Sequence, residues 1–247
     1  MSLALYLVAP GALDSSGPGD VVVLDGPEGR HAATVRRTGV GEQLRLADGR
    51  GRVVTGVVES VGRAELTLRV ESVLDEPVPS PRFVLVQALA KGDRDDQAIE
   101  AATELGVDEV VPWQAGRSIV QWRGERGEKA WRKWDAVLVA ATKQSRRARR
   151  PDLSPVVTTA ALAARIATAG AAYVLHEDAD VPLASLDVPA DGDVLLVVGP
   201  EGGISPEELE AFRDAGAHVV RLGDTVLRSS SAGPAALAVL SAAARWR

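Results

Sequence analysis

From residue 83 onward, short apolar runs typical of buried strands alternate with segments of helical periodicity. The predicted strands cover residues 83–90, 108–113, 171–177, 194–200 and 218–224, and the predicted helices cover residues 94–105, 159–169, 206–215 and 234–246. Gly106, Gly170 and Gly216 each follow a helical segment directly, where glycine readily ends a helix. Strands that alternate with helices favour a parallel sheet covered by helices, so we expect an α/β fold here.

Residues 1–75 follow a different pattern, in which short β-branched runs are separated by glycine turns. Strands are predicted within residues 21–26, 43–61 and 64–73, and one short basic helix within residues 29–37. Three prolines then favour an extended segment, because each lacks a backbone donor and disfavours helix in the residue before it: Pro77, Pro79 and Pro81. We therefore predict a small β-rich domain (1–75), a proline-rich linker (76–82) and a parallel-sheet domain (83–247).

The composition excludes several kinds of chemistry. The 247 residues include no cysteine, so a disulfide framework, a thiolate nucleophile and a cysteine-ligated zinc are excluded, and the three histidines leave little for another metal site. No apolar run reaches the roughly 20 residues that cross a bilayer, and a basic leader is absent, so we expect a cytoplasmic protein without a membrane partner. The net charge of −6 limits any RNA contact to a local surface.

The sequence Gly199-Pro200-Glu201-Gly202-Gly203-Ile204-Ser205 joins a predicted strand directly to a predicted helix. The helix start is well specified, since Ser205 suits the N-cap, Pro206 the first position and Glu208 the capping box. The glycines let a ligand approach the backbone, although the segment could equally be only a tight turn. It lacks the G-x-G-x-x-G pattern of dinucleotide binding and the lysine of a phosphate loop, which disfavours hydride transfer and nucleotide hydrolysis.

Two other predicted strands also end in polar or glycine-containing loops, HED (176–178) and LGDTVLR (222–228). Ligands of open α/β sheets bind beyond the carboxyl ends of strands, so these loops and the GPEGG loop (199–203) should line one site. Arg228 lies between the last strand and the terminal helix, where it is well placed to meet a phosphate or a developing oxyanion. The alternative is a serine-rich helix cap followed by an amphipathic tail.

A basic segment, residues 143–150, contains five cations and no acid: Lys143, Arg146, Arg147, Arg149 and Arg150. If the helix that begins near residue 128 continues to Pro151, all of these except Arg149 share one helix face. The opposite face carries residues at core-facing spacing: Trp131, Trp134, Leu138 and Ala141. We interpret the basic face as an RNA-backbone contact, with a simple solvated face as the alternative. His31, beside three arginines, is also interpreted as an RNA contact, and His218 as structural.

Together these segments resemble the 16S ribosomal RNA (uracil-N3)-methyltransferase family of the SPOUT superfamily. The resemblance covers nearly the whole chain through His31…Val35-Arg36-Arg37, Asp48-Gly49, Lys91, Ala102-Thr103-Glu104-Leu105-Gly106, Arg117-Ser118, Gln144-Ser145-x-Arg147, GPEGG-I-S and LGxxVLR. Each motif alone is weak, but their order and spacing are specific. The chain departs from the family where Arg228-Ser229-Ser230-Ser231 replaces a frequent Arg-Thr-Glu-Thr type run, and where Gly116 replaces a frequent glutamate.

The resemblance implies a catalytic domain with a deep trefoil knot, a PUA-like amino-terminal domain that helps to hold RNA, and a homodimer. It implies S-adenosylmethionine as the cofactor, no metal, and N3 of a uridine (uridine 1498) in 16S ribosomal RNA of the small subunit as the methyl acceptor. The cofactor-binding residues would be His176, Gly199, Pro200, Glu201, Gly202, Gly203, Leu222, Gly223, Leu227, Ser229 and Ala232. The RNA-binding residues would be His31, Arg36, Arg37, Lys91, Arg117, Lys143, Arg146, Arg147 and Arg150.

The expected reaction is an in-line methyl transfer in which the protein mainly aligns the reactants. Arg228 is the predicted catalytic residue, since it can stabilise negative charge on the uracil carbonyls. The general base stays open, with Glu201 and Asp224 as candidates. Two alternative functions also stay open: a related methyltransferase that modifies a ribose 2′-hydroxyl or another base, and a non-catalytic RNA-binding factor of ribosome assembly.

Overall fold

The structure, a computed structural model, describes residues 3–246 and separates them into two compact units. The first unit ends at Val78 and also includes Thr142–Arg150, and the second contains Pro79–Ala141 and the chain from Pro151 onward. The prediction assigned residues 142–150 to the parallel-sheet domain, and the structure corrects it. The physical reason is packing, because Ala148 is buried with Leu5, Ala47 and Val53 of the first unit.

The first unit is a five-stranded sheet in the order β1-β3-β4-β5-β2, in which only β1 and β3 run parallel. Its strands are β1 (Ala4–Leu7), β2 (Val21–Leu24), β3 (Gln43–Ala47), β4 (Arg52–Val61) and β5 (Leu66–Asp75). A short helix, α1 (Gly26–Arg30), continues into one π-helical turn, His31–Val35. Alternate residues of the strands face a single apolar core that includes Leu46, Val54 and Leu68. This unit therefore consists mainly of β-strands, as predicted. The prediction did not include β1.

The second unit contains a sheet of seven parallel strands in the order β12-β10-β11-β6-β7-β8, with β9 also paired to β7. The strands are β6 (Arg82–Ala88), β7 (Glu109–Gln114), β8 (Asp152–Leu153), β9 (Val157–Thr158), β10 (Ala171–Leu175), β11 (Asp193–Val198) and β12 (His218–Val220). The helices are α2 (Arg94–Glu104), α3 (Gly124–Gln144), α4 (Thr159–Ile166), α5 (Pro206–Asp214) and α6 (Ser229–Ala244), and a 3₁₀ turn covers Leu183–Ser185. The predicted α/β fold with a parallel sheet is confirmed.

Alternation along the central strands divides the core of this unit into two layers. Phe83 and Leu85 of β6 face one layer, which also contains buried side chains of α2, α3 and α6. Val84 and Val86 face the other layer, which contains buried side chains of α4 and α5. Both faces of the sheet are therefore covered by helices, and this explains why its strands are nearly continuous apolar runs in the sequence.

Two predicted helix boundaries differ from the structure. Helix α3 ends at Gln144 instead of reaching Pro151, and Arg146 has a φ of 58°, which no helical residue adopts. Helix α6 begins at Ser229 and contains Pro234, whereas the prediction started the helix at this proline. The earlier start of α6 brings Gly233 against Leu85 and Val198, so tertiary packing outweighs the cost of an internal proline.

The contact of Gly233 with the sheet leads to a prediction about stability. A Cβ at position 233 would approach Cδ1 of Leu85 to 2.8 Å, closer than packed side chains tolerate. We expect Gly233→Val to lower the free energy of unfolding by about 1–3 kcal/mol, as overpacked cores do. Urea unfolding measures the change, and Ala242→Val at an exposed position of the same helix is the control. Wild-type stability in Gly233→Val would mean that α6 does not lie this close to β6.

Candidate functional site

A cavity of about 370 Å³ opens beyond the carboxyl ends of β6, β10, β11 and β12, which lie side by side in the sheet. Because parallel strands end at the same edge, the loops that follow them converge there. The cavity is lined by Arg94, Leu175, His176, Glu177, Val198, Gly199, Pro200, Glu201, Gly203, Ile204, Arg221, Leu222, Gly223, Asp224, Thr225, Val226, Leu227, Arg228, Ser229 and Ala232. The structure thus brings the three predicted loops together in one site.

All of the predicted cofactor-binding residues except Gly202 line this cavity, as does Arg228. Gly202 instead packs against Arg117, since a Cβ on Gly202 would come within 3.2 Å of the Arg117 Cβ. The Arg117 guanidinium also donates a hydrogen bond to the carbonyl oxygen of Gly202 at 3.2 Å. Gly202 is therefore not part of the cavity wall, and its predicted contact with the cofactor stays a prediction. Arg117, predicted to contact RNA, supports the back of the GPEGG loop.

The GPEGG loop owes its shape to local chemistry that the sequence predicts correctly. The Ser205 side chain accepts a hydrogen bond from the backbone of Glu208, whose carboxylate accepts one from the backbone of Ser205, so the predicted capping box is present. Gly203 has a φ of 73°, a conformation that side chains with a Cβ rarely adopt. A Cβ on Gly199 would lie 2.6 Å from Ile204. Glycine is therefore required at both positions for this turn.

Glu208 does more than cap helix α5. Its carboxylate is almost buried, with 7% of the residue exposed, and also accepts hydrogen bonds from the Gly116 backbone N–H and the Thr159 hydroxyl, each at 2.8 Å. Three segments of the chain are therefore held by one side chain. At position 116, a family glutamate would bring a second carboxylate toward Glu208, because a Cβ on Gly116 lies 3.5 Å from Oε1.

Two carboxylates in the cavity wall are neutralised by arginines. Glu201 Oε1 accepts a hydrogen bond from the Arg94 guanidinium at 2.8 Å, and Asp224 pairs with Arg221 at 3.0 Å. Partial burial raises the pKa of Glu201, but hydrogen bonds from its own backbone N–H, from Lys91 and from Arg94 outweigh this and lower the pKa below its ordinary value. The lowered pKa makes Glu201 a weaker base. Asp224, the other candidate for the general base, is paired with Arg221.

Arg228 is the N-cap residue of α6, and its carbonyl oxygen accepts hydrogen bonds from Ser231 and Ala232. Its side chain is exposed and makes no ion pair or hydrogen bond with any residue between positions 3 and 246. Asp224, four residues earlier in the same loop, is paired with Arg221. A cationic side chain therefore enters the cavity without a protein partner among the described residues.

Two charged residues of the cavity wall lie outside the predicted site loops, namely Arg94 and Arg221. Arg221 directly adjoins the predicted loop that begins at Leu222. Arg94 follows β6, whose end was not included among the site loops. The rule that ligands bind at the carboxyl ends of parallel strands would have indicated Arg94 if the strand order had been known.

The basic segment differs from its prediction because it does not form a helical face. Only Lys143 lies on α3, and its ammonium pairs with Glu28 at 2.5 Å. The segment then turns at Arg146, and the Arg149 guanidinium donates to the carbonyl oxygens of Glu76 and Pro77. The predicted stripe of Lys143, Arg146, Arg147 and Arg150 is therefore wrong as a helical arrangement. The structure instead assigns these residues to the first unit.

The other predicted RNA contacts are divided between the two units. His31, Arg36 and Arg37 belong to the first unit; both arginines are exposed, and the His31 ring contacts Tyr6 edge to face. Lys91, in the second unit, donates its backbone N–H to Glu201 at 3.2 Å and has an exposed side chain. Between residues 3 and 246, no cluster of three or more histidine, aspartate or glutamate side chains could hold a metal ion, and no helix is long and apolar enough to span a membrane.

Comparison with known families agrees with this arrangement. A family model for the RNA methyltransferase domain matches residues 77–241, and a model for the RNA methyltransferase PUA domain matches residues 24–71. The fold and the cavity at the strand ends therefore define the class of the protein: it is an RNA methyltransferase with an amino-terminal PUA domain.

Curated relatives narrow the class further. The chain is 47% identical to ribosomal RNA small subunit methyltransferase E of Mycobacterium tuberculosis over 92% of its own length and 89% of that protein. It is 26% identical to the protein of the same name from Bacillus subtilis, over 88% of each chain. The chain belongs to the ribosomal RNA small subunit methyltransferase E family.

Solved structures share the whole fold. A methyltransferase from Legionella pneumophila, in complex with S-adenosylmethionine, matches with a TM-score of 0.83 and 31% identity over 99% of each chain. Ribosomal RNA small subunit methyltransferase E from Neisseria gonorrhoeae, bound to the same molecule, matches with a TM-score of 0.85 over 98% of each chain. At 23% identity, the second likeness concerns the fold alone.

The hydrogen bonds of Glu208 lead to a prediction. Glu208→Ala should lower the free energy of unfolding by about 2 kcal/mol or more, because it removes a capping interaction and leaves the Gly116 and Ser205 N–H groups without their acceptor. Hydrogen exchange of the 199–205 amides should accelerate in parallel. Glu210→Ala, an exposed change on the same helix, is the control. If both variants unfold like the wild type, Glu208 does not hold the three segments together.

Asp95, beside Arg94 in the first turn of α2, leads to a prediction about pH. Burial and the neighbouring Asp96 carboxylate raise the pKa of Asp95 from 3.8 to about 6. The folded state therefore disfavours the ionised form, and the resulting loss of stability develops as the pH rises from about 4 to 6. We expect Asp95→Asn to stabilise the protein at pH 8 by on the order of 1–2 kcal/mol, and not at pH 3.5.

Urea unfolding at both pH values measures this difference, with Glu100→Gln on the exposed side of α2 as the control. A stabilisation of Asp95→Asn that is equal at both pH values would contradict a raised pKa.

Proposed function

We propose that the protein transfers a methyl group from S-adenosylmethionine to N3 of a uridine in 16S ribosomal RNA of the small subunit. The observation that carries the proposal is the single cavity at the strand ends, which combines a glycine-built wall with the unpaired side chain of Arg228. The relatives named above act, by their names, on ribosomal RNA of the small subunit, and one solved neighbour that is 31% identical holds S-adenosylmethionine.

The residues of the cavity fit such a cofactor. Gly203 and Gly223 leave the backbone open to a flat ring, and Leu222, Leu227 and Ala232 provide apolar surface. Ser229 contributes a buried hydroxyl oxygen without a hydrogen-bond partner among the described residues, which is suited to a polar atom of a ligand. When bound, S-adenosylmethionine supplies a methyl group on a sulfonium centre. The chain's task is to align that group with the acceptor and to exclude water.

Arg228 would act on the acceptor. N3 of uracil carries a proton and lies on the pairing edge, so the base has to be unpaired and loses this proton as it attacks. Negative charge then spreads to the flanking carbonyl oxygens, where a guanidinium can donate two hydrogen bonds. Glu201 and Asp224 are each bound to an arginine, and we therefore do not assign the general base to either residue.

We infer that the first unit helps to hold the RNA backbone. Arg36 and Arg37 follow the π-helical turn, and the Lys143–Glu28 ion pair ties the basic segment to α1, immediately before that turn. The π-helical turn and the basic segment thus place exposed cations in one compact unit. These cations form a local surface for phosphates, although the net charge of the protein is negative. Lys91 and Arg117 would contribute contacts from the second unit.

We further propose that the second unit contains a trefoil knot and that the protein acts as a homodimer in the cytoplasm. The knot is what the resemblance to the SPOUT superfamily implies, and in this chain the helix that follows the edge strand β12 packs Gly233 over the central strands β6 and β11. Val226 and Leu227, which line the cavity, are exposed apolar surface that a second copy would cover.

Methylation of small-subunit ribosomal RNA tests the proposed function. The purified protein is incubated with labelled S-adenosylmethionine and either naked 16S RNA or assembled subunits, and nucleosides are identified by mass spectrometry. We expect N3-methyluridine at one site. Methylated ribose or a different methylated base would favour a related methyltransferase. A protein that binds RNA, transfers no methyl group and has no affinity for S-adenosylmethionine would be an assembly factor.

The role of Arg228 leads to a prediction. Arg228→Ala should lower the single-turnover rate at saturating cofactor by about a hundredfold to a thousandfold, the usual loss for one oxyanion donor, and should leave cofactor affinity nearly unchanged. Arg228→Lys should recover part of the rate, because it keeps the charge but loses the planar donor pair. A near-normal rate in a stably folded alanine variant would remove Arg228 from the mechanism.

A further inference from the structure

We propose that Arg94, held in place by Glu201, is a second arginine that contacts the methyl-accepting nucleotide. The proposal rests on the proposed function and deepens it, since it assigns a substrate-contacting residue in the same cavity. It also assigns Glu201 a positioning role instead of the role of a general base.

Glu201 joins two loops through one oxygen atom. Its Oε1 accepts a hydrogen bond from the Arg94 guanidinium at 2.8 Å and from the Lys91 backbone N–H at 3.2 Å. The GPEGG loop is thereby bound to the segment that follows β6. The same oxygen of Glu201 holds the Arg94 guanidinium in place. The lowered pKa of Glu201 keeps this acceptor ionised under working conditions. A long arginine side chain is thus held in one orientation before any ligand binds, which reduces the entropy lost on binding.

The position of Arg94 separates it from the cofactor loops. The loops proposed to hold the cofactor follow β10, β11 and β12, whereas Arg94 follows β6, the fourth strand in the row. Arg94 therefore lines the end of the cavity that lies beyond these three loops. Arg228 lines the same cavity and is followed directly by α6, which packs Gly233 against Leu85 of β6 and Val198 of β11. A methyl acceptor placed beside the cofactor would enter this end, between the two arginines.

Arg94 retains unused donors. Only its Nη1 atom donates to Glu201, and Nε and Nη2 have no partner among residues 3–246, with 46% of the side chain exposed. Glu201 balances the charge of Arg94. Arg94 therefore acts by donating hydrogen bonds to a ligand oxygen and contributes little to the long-range attraction of RNA. Guanidinium groups bind carbonyl and phosphate oxygens through paired N–H donors. The ligand is therefore an oxygen of the target nucleotide, either on the uracil ring or on its phosphate.

The experiment uses the full-length protein in single-turnover methylation of small-subunit RNA at saturating S-adenosylmethionine. The variants are Arg94→Ala, Arg94→Lys, Glu201→Gln, Glu201→Ala and the double alanine variant. Arg213→Ala, an exposed arginine of α5 away from the cavity, and Glu210→Ala are the matched controls. Cofactor affinity is measured by calorimetry, RNA affinity at several salt concentrations, and stability by thermal unfolding.

We expect Arg94→Ala to lower kcat/KM for RNA by about a hundredfold, with cofactor affinity unchanged within about twofold. A uracil contact predicts that the loss falls in kcat, whereas a phosphate contact predicts a higher KM and a smaller salt dependence of RNA binding. Arg94→Lys should recover part of the loss. Glu201→Gln keeps the acceptor oxygen and should stay within about tenfold of wild type without a shift in the pH–rate profile.

Because Glu201 acts through Arg94, the double alanine variant should be no slower than Arg94→Ala alone. The proposal is overturned by a normal kcat/KM in Arg94→Ala, by additive losses in the double variant, or by losses that follow thermal stability or cofactor affinity. A loss of the pH dependence in Glu201→Gln would identify Glu201 as the base and overturn its positioning role. If the wild type transfers no methyl group to RNA, the proposed function itself fails, which is a distinct outcome from an active wild type with an unaffected Arg94 variant.

Discussion

Every part of the candidate site depends on four strands that run parallel and side by side, β12, β10, β11 and β6. Parallel neighbours place all of their carboxyl ends on one edge, so strand direction alone is enough to bring four loops from distant parts of the sequence together there. The two apolar layers, one on each face of the sheet, hold these strands in register. The cavity is thus a consequence of strand direction and order, and the loops determine only its chemistry.

Carboxylates then fix the loops relative to one another. Glu208 ties the start of α5 to the segments at Gly116 and Thr159, and Glu201 ties the GPEGG loop to the loop after β6. Both use ionised oxygens as acceptors for several donors, which is stronger than a set of neutral hydrogen bonds. The glycines between them supply the backbone turn, as the φ of 73° at Gly203 illustrates.

Most charged side chains of the cavity wall form ion pairs with one another, which leaves few of them to bind a ligand. The pairs Arg94–Glu201 and Arg221–Asp224 neutralise four side chains, and Arg228 has no partner among residues 3–246. A site that binds a cationic sulfonium and stabilises a transient anion needs localised donors rather than a large net charge. In the first unit, the Lys143–Glu28 pair uses one cation of the basic segment for structure, which leaves fewer of them for RNA than their number in the sequence suggests.

The sequence by itself determined the α/β alternation, the GPEGG turn with its capping box, and the residues of three site loops, because these features depend on local periodicity and on backbone conformations that only glycine, proline or a capping side chain favours. Tertiary structure alone decided the end of α3 at Gln144, the transfer of residues 142–150 to the first unit, the early start of α6 and the inclusion of Arg94 in the cavity. These outcomes depend on burial against residues far away in the chain, such as Ala148 against Val53 or Gly233 against Leu85. Local sequence patterns do not specify the order of the strands or which distant side chain fills a given space. These four features therefore depend on tertiary packing.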